Sequence, residues 1–310
     1  MKLLDTHLYE QGAPDDLRHL INYIARAGKY ISHAIQIGDD LGLAGSNNAS
    51  GEDQLALDVL SDKLIEDNLM ICRLVSTAIS EEKDEPIHCK CKGKDCTAKY
   101  SVAYDPLDGS SLVDANLSIG SIFSIVAGDG FVGKTGRDQV AALYIVYGPR
   151  TTLTYTMGKG THEFTLNDVG EFELTDEAIK LKPSAKHFAP GNLRAITQNE
   201  NYKAIVYRYM DEQYTLRYSG GMAPDINHML VKREGIFMYP AYTPKYPNGK
   251  LRLLFECNPF SFIVEQAGGS SHTGQMAVMD VKITEPHQRT PIFVGCKEEV
   301  EKVVEALRRT

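Results

Sequence analysis

The chain has 310 residues, of which 43% are hydrophobic and 24% charged, and these figures predict one large or two medium folded domains. Its 33 basic and 41 acidic residues give a formal net charge of −8 with no long run of either sign, which argues against a nucleic-acid-binding protein and against binding to an acidic membrane. The sequence shows no membrane-spanning apolar run and no signal or transit peptide, so a cytoplasmic location is expected, or a plastid one if the chain is a processed form.

The first half of the chain begins with helices and continues with strands. Leu17, Leu20, Ile24 and Ile31 recur at helical spacing after two aspartates, which predicts a long amphipathic helix. The next predicted elements are a second helix from Gln54 to Asn68, a strand in "RLVSTAISEE" that ends in two glutamates, and, from residue 100, strands such as "YSVAYD", "IGSIFSIVAG" and "QVAALYIVYG".

A composition change near residues 180–192, in "KLKPSAKHFAPGN", predicts a boundary between an N-terminal α/β domain (1–185) and a C-terminal α/β domain (186–310). In "NPFSFIVEQAGG", Asn258 is expected to cap a helix that Gly268 and Gly269 end. The other predicted elements of this half are helices at 199–211 and 222–232, strands in "GIFMYPAY" and "KLRLLFE", and a closing helix. The whole fits an α/β chain in two layered halves.

Acidic residues cluster at the edges of the predicted elements: Glu52 with Asp58, Glu81 with Glu82, Asp105 with Asp108, and Glu256. Strand ends are where α/β sheets usually bind ligands. Carboxylates that converged there would repel one another unless cations lay between them, and hard oxygen ligands favour Mg²⁺ or Mn²⁺ over Zn²⁺. Each cluster taken alone also fits a solvated surface pair, a turn or a helix-dipole contact.

The segment "DPLDGSS" (105–111) is more specific, because it joins two acids, a rigid proline and an amide-rich turn. With "SEE", "GEDQLALDVLSDKL", "RYSGGMAPD", "NGKLRLLFECNP" and "EQAGG", it resembles the class I sugar-bisphosphatases, which act on fructose 1,6-bisphosphate or sedoheptulose 1,7-bisphosphate. This family belongs to the lithium-sensitive, Mg-dependent phosphatase superfamily. The resemblance covers most of the chain and implies an α/β fold of layered α+β type, the αβαβα sandwich of that superfamily.

The resemblance also implies roles for the acidic residues. Two or three Mg²⁺ ions per active site are expected, with Mn²⁺ as a substitute. Asp58 and Glu82 match the pair that activates the attacking water, and Glu52 matches a loop acid that assists the leaving oxygen. The implied metal ligands are Glu81, Glu82, Asp105, the carbonyl of Leu107, Asp108 and Glu256.

The same resemblance implies how a sugar bisphosphate is held. The transferred phosphate is expected against the backbone of Gly109, Ser110 and Ser111, beside Asp108 and Arg252. Arg217 matches an arginine that reaches a neighbouring active site, so a homo-oligomer, a dimer of dimers, is expected. The other implied sugar and distal-phosphate contacts are Tyr218, Met222, Tyr239 and Lys250.

The motifs carry features of both substrate branches. "THEF", "PGNLRA" and "YTLRYSGGMAPDIN" favour the sedoheptulose enzymes, whereas "GIFMYPAYTPKYPNGKLRLLFECNP", with Tyr239, favours the fructose enzymes. The fructose enzymes contact the distal phosphate with an Asn-Glu-Gly-Tyr segment, and this chain has Asn192 and Arg194 at the corresponding stretch. The arginine could bind the distal phosphate of a sugar that is one carbon longer. Sedoheptulose 1,7-bisphosphate is therefore the expected substrate, with fructose 1,6-bisphosphate or dual specificity as the alternative.

Two segments differ from the family pattern. "GAPDDLRHL" lacks the threonines of the AMP-inhibited enzymes, so weak or absent AMP inhibition is expected although Lys99 and Tyr100 are kept. Three readings of "HCKCKGKDC" stay open: ordinary reduced cysteines, a redox switch, or a zinc site formed by His88, Cys89, Cys91 and Cys96.

Two other functions fit the sequence less well than hydrolysis of sugar bisphosphates. A non-catalytic phosphosugar sensor would lack the water-activating acids, but Asp58 and Glu82 are both present. An inositol monophosphatase would carry a Trp-Asp pair where this chain has Glu256, and the chain contains no tryptophan.

Overall fold

The structure is a computed structural model that describes residues 1–37, 43–47, 53–88 and 98–308, with backbone only for 43–47 and 53–55. Glu52, Cys89, Cys91 and Cys96 lie outside the described residues. The helices in the described ranges are α1 (Leu4–Glu10), α2 (Asp15–Ile37), α3 (Ala56–Cys72), α4 (Glu200–Asp211), α5 (Met222–Lys232), α6 (Asn258–Gln266) and α7 (Lys297–Arg308). None of these helices has the length and apolarity to cross a membrane, and the expected cellular location stays a prediction.

The strands of the first half form a hairpin and one large sheet. The hairpin pairs β1 (Leu43–Asn47) with β2 (Asp53–Leu55). The large sheet has the order β10-β9-β8-β7-β6-β5-β3-β4, and all its neighbours are antiparallel except the parallel pair β3 and β5. Its strands are β3 (Val75–Ser80), β4 (Ile87–His88), β5 (Tyr100–Asp108), β6 (Ile119–Ala127), β7 (Gln139–Tyr147), β8 (Thr151–Thr156), β9 (Thr161–Leu166) and β10 (Phe172–Asp176).

The strands of the second half form a smaller mixed sheet of order β12-β11-β13-β15-β14. β11 is parallel to β12 and to β13, whereas β15 is antiparallel to both of its neighbours. The connection between the two sheets contains the predicted domain boundary, whose position stays a prediction. The strands of this sheet are β11 (His187–Pro190), β12 (Thr215–Leu216), β13 (Ile236–Tyr239), β14 (Ser270–His272) and β15 (Ile292–Gly295).

Five layers result because both faces of both sheets are apolar. In β5, Val102 and Tyr104 pack with α1, α2 and α3, whereas Ala103 faces the opposite cluster with α5 and α6. In β13, Phe237 belongs to that same middle cluster, and its neighbours Ile236 and Met238 pack with α4 and α7. Successive strand residues point to opposite faces, so each strand contributes to two cores. The αβαβα sandwich is confirmed.

One predicted strand is wrong. Residues Leu253–Cys257, within the "KLRLLFE" segment, form a wide π-helical turn that continues directly into α6. Asn258 is therefore already helical, and no side-chain bond caps the helix at this point. The apolar run fits a buried helix as well as a buried strand, because periodicity cannot separate them over so few residues. Such π-turns often occur at functional sites.

Candidate active site

The acidic pairs of the first half meet at one edge of the large sheet. β3 and β5 are parallel, with Ser80 opposite Tyr104, so their carboxyl ends lie side by side. The backbone N–H of Glu81 donates to the carbonyl of Tyr104 at 3.0 Å. Glu81 and Asp105, the residues that follow this pair, are therefore neighbours although the chain separates them widely.

The last residues of β5 are fixed by hydrogen bonds within the strand, from β6 and from α5. The Leu107 N–H donates to Asp105 Oδ1 at 2.9 Å, and the Ser121 hydroxyl donates to the Pro106 carbonyl at 2.7 Å. Asp108 Oδ2 accepts the N–H of Ala223 at 2.6 Å. Ala223 lies in the first turn of α5, so the helix dipole favours an anion there.

A glycine directly follows β5 because the backbone there needs a positive φ. Gly109 has φ +83° and precedes a short helical turn, Ser110–Leu112. A Cβ atom there would lie 3.3 Å from Leu112 and 3.4 Å from the backbone of Gly221. Gly109, Ser110 and Ser111 line the same cavity as Asp108, and an amide-rich turn of this kind suits contact with an anionic group.

The π-helical turn supplies the opposite wall. The Arg252 N–H donates to Glu256 Oε2 at 2.7 Å, and the Arg252 guanidinium forms an ion pair with Glu81. Both Glu256 and Arg252 are buried. The turn therefore brings a carboxylate and a guanidinium from the second half of the chain against the acids of the first half.

These walls enclose a cavity of about 500 Å³. Most of the residues predicted for metal or substrate binding line it: Glu81, Glu82, Asp105, Leu107, Asp108, Gly109, Ser110, Ser111, Tyr218, Met222, Tyr239, Lys250, Arg252 and Glu256. Their individual roles stay predictions. The structure thus gathers into one cleft residues that follow β3 and residues from β5, the α5 N-terminus, β13 and the π-helical turn.

Four predicted residues lie away from the cavity lining. Asp58 is buried in the first turn of α3. Asn192 is buried, and its side-chain amide donates to the Pro240 carbonyl at 3.1 Å. Arg194 is exposed, and the exposed Arg217 donates to the carbonyl of Leu216 at 3.0 Å.

The cavity holds more buried negative charge than its cations offset. Burial, followed by the charges of Glu81 and Asp108, raises the pKa of Asp105 well above its usual value. Burial and Glu256 raise the pKa of Asp108 to about 7, although the Ala223 N–H opposes the shift. Burial also raises the pKa of Glu256, against the opposing influence of Arg252. Carboxylates that repel one another in this way are stabilised by an added cation.

The residues present fit a divalent metal ion. The cluster offers carboxylates and one backbone carbonyl, all hard oxygen donors, and neither histidine nor cysteine lines the described cavity. Mg²⁺ and Mn²⁺ prefer such donors, whereas Zn²⁺ favours nitrogen and sulfur. Cations placed here would offset the repulsion that, after burial, contributes to the raised pKa values of Asp105 and Asp108.

Sequence reasoning missed Asp62, a buried residue one helical turn after Asp58 in α3. It lies outside the cavity lining and contacts Ser80, Lys83 and Tyr104 beneath the acidic edge. The available signal was its spacing, three and seven residues before Ile65 and Leu69, which puts a carboxylate on the same buried helix face, where such a group must find partners.

Two family models match the chain almost end to end. "Fructose-1-6-bisphosphatase, N-terminal domain" matches residues 3–177, and "Fructose-1-6-bisphosphatase, C-terminal domain" matches residues 181–308.

Individual relatives agree with these models. A class 1 fructose-1,6-bisphosphatase of Geotalea uraniireducens is 49% identical over 303 residues, which are 97% of this chain and 94% of the relative. The chloroplastic sedoheptulose-1,7-bisphosphatase of Spinacia oleracea is 44% identical over 255 residues, 82% of this chain and 64% of that protein. A solved structure from Toxoplasma gondii, described as a candidate sedoheptulose-1,7 bisphosphatase, superposes with a TM-score of 0.91 at 34% identity, covering 99% of this chain and 98% of that one.

Proposed function

Because the chain belongs to the fructose-1,6-bisphosphatase family, whose members are phosphatases that hydrolyse sugar bisphosphates, we propose that it converts fructose 1,6-bisphosphate to fructose 6-phosphate and inorganic phosphate with Mg²⁺. The observation that carries the proposal is the buried set of Asp105, Asp108 and Glu256 facing one guanidinium and an amide-rich turn. This choice reverses the preference for sedoheptulose 1,7-bisphosphate expected from the motifs.

Two observations support fructose 1,6-bisphosphate. The relatives that are 47 to 49% identical over nearly the whole chain carry the name of a class 1 fructose-1,6-bisphosphatase, whereas the spinach sedoheptulose enzyme is 44% identical over less of the chain. Tyr239 and Lys250, from the fructose-like segment, line the cavity, but Asn192 and Arg194, on which the longer-sugar argument depended, do not.

Members of this family generally use divalent metal ions. Here Glu81, Asp105, Asp108, Glu256 and the carbonyl of Leu107 would hold them, with Glu82 at the rim. When bound, such ions neutralise the phosphoryl oxygens and lower the pKa of an attacking water. Mg²⁺ is the proposed ion and Mn²⁺ its substitute, with two or three per site.

The chain's own groups supply positioning and proton transfer. In the proposed reaction a water oxygen bonds to phosphorus while the bond from phosphorus to the C1 oxygen of the sugar breaks. A carboxylate of Asp58 or Glu82 takes the proton of the water, and Glu52, outside the described residues, assists the leaving oxygen. Arg252 pairs with the phosphoryl group, which lies on the amides of Gly109, Ser110 and Ser111.

At the sugar end, Lys250 is the other basic side chain that lines the cavity in the described part of the chain. It would pair with the distal phosphate, while Tyr218, Tyr239 and Met222 would contact the sugar. The Tyr218 hydroxyl donates to the Gly191 carbonyl at 3.2 Å, which holds its ring beside the cleft.

Phosphate release from the two sugar bisphosphates, with Mg²⁺ and with EDTA, tests the proposal. We expect turnover only with the metal and a higher kcat/KM for fructose 1,6-bisphosphate. Release from neither sugar would contradict the function, and a higher kcat/KM for sedoheptulose 1,7-bisphosphate would contradict the substrate. Comparable values would show dual specificity, the second candidate, which is supported by similarity to relatives named for each of the two substrates.

A homo-oligomer completes the proposal. Arg217 is exposed and outside the cavity of its own subunit, which is compatible with reaching a neighbouring active site in a dimer of dimers. Mixing Arg217→Ala subunits with Asp108→Asn subunits tests this. Each parent oligomer should be impaired, and the hybrids should regain activity, because some sites then receive an intact arginine and an intact aspartate. No recovery in proven hybrids would contradict the arrangement.

A further inference from the structure

Asp62 lies beneath the acidic edge, one turn along α3 from Asp58, and only 5% of its surface is exposed. Its Oδ1 accepts the hydroxyl of Ser80 at 2.6 Å and the hydroxyl of Tyr104 at 2.9 Å. Its Oδ2 lies 2.7 Å from Nζ of Lys83. Both oxygens of one buried carboxylate are therefore engaged by groups from three other positions.

Each of these contacts leads to a residue of the proposed active site. The Ser80 hydroxyl that donates to Asp62 also accepts the backbone N–H of Glu82 at 3.2 Å, so the carboxylate orients the turn that carries Glu81 and Glu82. Tyr104 directly precedes Asp105 in β5. The same carboxylate thus joins α3, the end of β3 and the end of β5.

The charge of Asp62 is balanced inside the protein. Burial alone would lower the pKa of Lys83, but its bonds to Asp62 and Glu66 raise it above the usual value, so the ammonium stays charged. Burial and the charge of Asp62 raise the pKa of Tyr104 well above its usual value, so its hydroxyl stays a donor. Asp62 therefore has two hydroxyl donors and a cation as partners, whereas Asp105, Asp108 and Glu256 also face other carboxylates in the cavity.

We propose that Asp62 is a positioning residue that fixes the spacing of Asp58, Glu82 and Asp105, an inference that rests on the proposed function. It acts through Ser80 and Tyr104 and does not line the cavity. Metal-binding and water-activating groups need placement within fractions of an ångström, and a shift of about 1 Å costs about 100-fold in rate. Groups behind metal ligands typically contribute about 10- to 100-fold in metal affinity or activity.

The test compares variants that break the contacts to different extents. Asp62→Ala removes every acceptor, and we expect kcat to fall about 100-fold with a KM change below about 3-fold, together with about 10-fold weaker Mn²⁺ binding. Asp62→Asn keeps the oxygen that Ser80 and Tyr104 share and should retain most of the activity. Ser80→Ala and Tyr104→Phe each remove one link and should give intermediate losses.

Matched controls remove similar hydroxyls from residues that do not line the cavity. Ser32→Ala removes a buried hydroxyl that bonds Thr151 at 2.6 Å, and Tyr155→Phe removes one that bonds His7 at 2.6 Å. Both should keep the parent's kcat and Mn²⁺ affinity even if their melting temperatures fall. The comparison separates positioning of the site from general loss of stability.

Two measurements distinguish failure of this inference from failure of the proposed function. The first is kcat and KM on fructose 1,6-bisphosphate. The second is Mn²⁺ binding to the chelator-treated protein, followed by electron paramagnetic resonance. If the parent does not hydrolyse the sugar, the proposed function fails, and the Mn²⁺ titration still decides the role of Asp62. Parent-like kcat and Mn²⁺ affinity in Asp62→Ala and Ser80→Ala would overturn the inference. So would an Asp62→Asn variant as impaired as Asp62→Ala. If Asp62→Ala does not fold, kcat and Mn²⁺ affinity are compared between Ser80→Ala and Ser32→Ala. A loss in Ser80→Ala alone supports the inference, and equal values overturn it.

Discussion

Two buried carboxylate sites in this molecule are built in opposite ways. Glu299 in α7 is fully buried, and it accepts the hydroxyls of Tyr209 at 3.3 Å and Tyr214 at 3.2 Å. Lys302 Nζ lies 2.9 Å from it, and Arg208 Nη2 lies 3.7 Å away. The protein thus supplies both hydrogen-bond donors and positive charge for this one anion.

The cavity acids are arranged differently. Asp105, Asp108 and Glu256 accept bonds from backbone N–H groups, but they also face one another, and their mutual repulsion contributes to their raised pKa values. Arg252 forms an ion pair with Glu81, and its charge also opposes the rise in the pKa of Glu256, so one guanidinium acts on two acids. Removal of a buried carboxylate with its own donors would leave those donors unpaired and destabilise the fold, whereas carboxylates that repel one another favour binding of an added cation.

The largest expected effect comes from removing a cavity charge. Asp108→Asn should lower kcat on fructose 1,6-bisphosphate at least about 1,000-fold, an increase of about 4 kcal/mol in the activation barrier, because a ligand to the proposed metal ions is lost. Phosphate release at saturating Mg²⁺ measures it. The metal-free variant should be at least as stable as the parent in urea, since one repelling charge is gone. An Asp108→Asn variant that lost stability but kept its kcat would contradict the difference between the cavity acids and Glu299.

The reverse outcome is expected for the paired carboxylate. Glu299→Leu should lower the free energy of unfolding by about 2 kcal/mol, because the buried Tyr209 hydroxyl loses its acceptor. Urea denaturation measures the loss, and kcat of the folded variant should stay within about twofold of the parent, well below the cost of a misplaced catalytic group. A large fall in kcat with unchanged stability would show that the two sites do not differ as described.

A smaller effect follows from the pKa of Asp108, which burial and Glu256 raise from 3.8 to about 7. The folded state binds this proton more tightly than the unfolded state, so its stabilising contribution is complete below about pH 4 and is lost as pH rises through about 7. With EDTA, stability should therefore decline over this range. Mg²⁺ should raise the melting temperature by about 3 °C or more at pH 8 and by less at pH 5.

Asp108→Asn is the control for that pH dependence, because it removes the titrating group. Its Mg²⁺ stabilisation should be weaker and should vary less between the two pH values. An equal Mg²⁺ effect at both pH values in the parent would contradict the link between raised pKa values and cation binding.

The smallest expected effect is that of AMP on the reaction rate, because Lys99 is already in an ion pair. Lys99, kept from the AMP-binding pattern of the family, forms an ion pair with Asp16 on the surface. We expect about 1 mM AMP to change the rate by less than about twofold, since an exposed pair of this kind offers no unneutralised charge to a phosphate. Initial rates with and without AMP measure this. Inhibition by micromolar AMP would contradict the prediction.

Local patterns were sufficient for much of the fold. The periodic leucines and isoleucines after Asp15 predicted α2, and "RLVSTAISEE" predicted β3, because spacing of apolar residues follows directly from helix and strand geometry. The π-helical turn at Leu253–Cys257 was missed, since a short apolar run has no distinctive period. That error mattered for the site, because the turn brings Glu256 and Arg252 together.

The chain's motifs by themselves determined the family, the type of chemistry and most of the residues that line the cleft, because metal-binding acids need fixed residue types close to strand ends. Only the tertiary structure decided which charges are paired within the protein. Asp62 lies 18 residues from Ser80 and 42 from Tyr104, and no periodicity joins positions so far apart. The parallel pairing of β3 with β5 brings them together, and it leaves Glu81 beside Asp105.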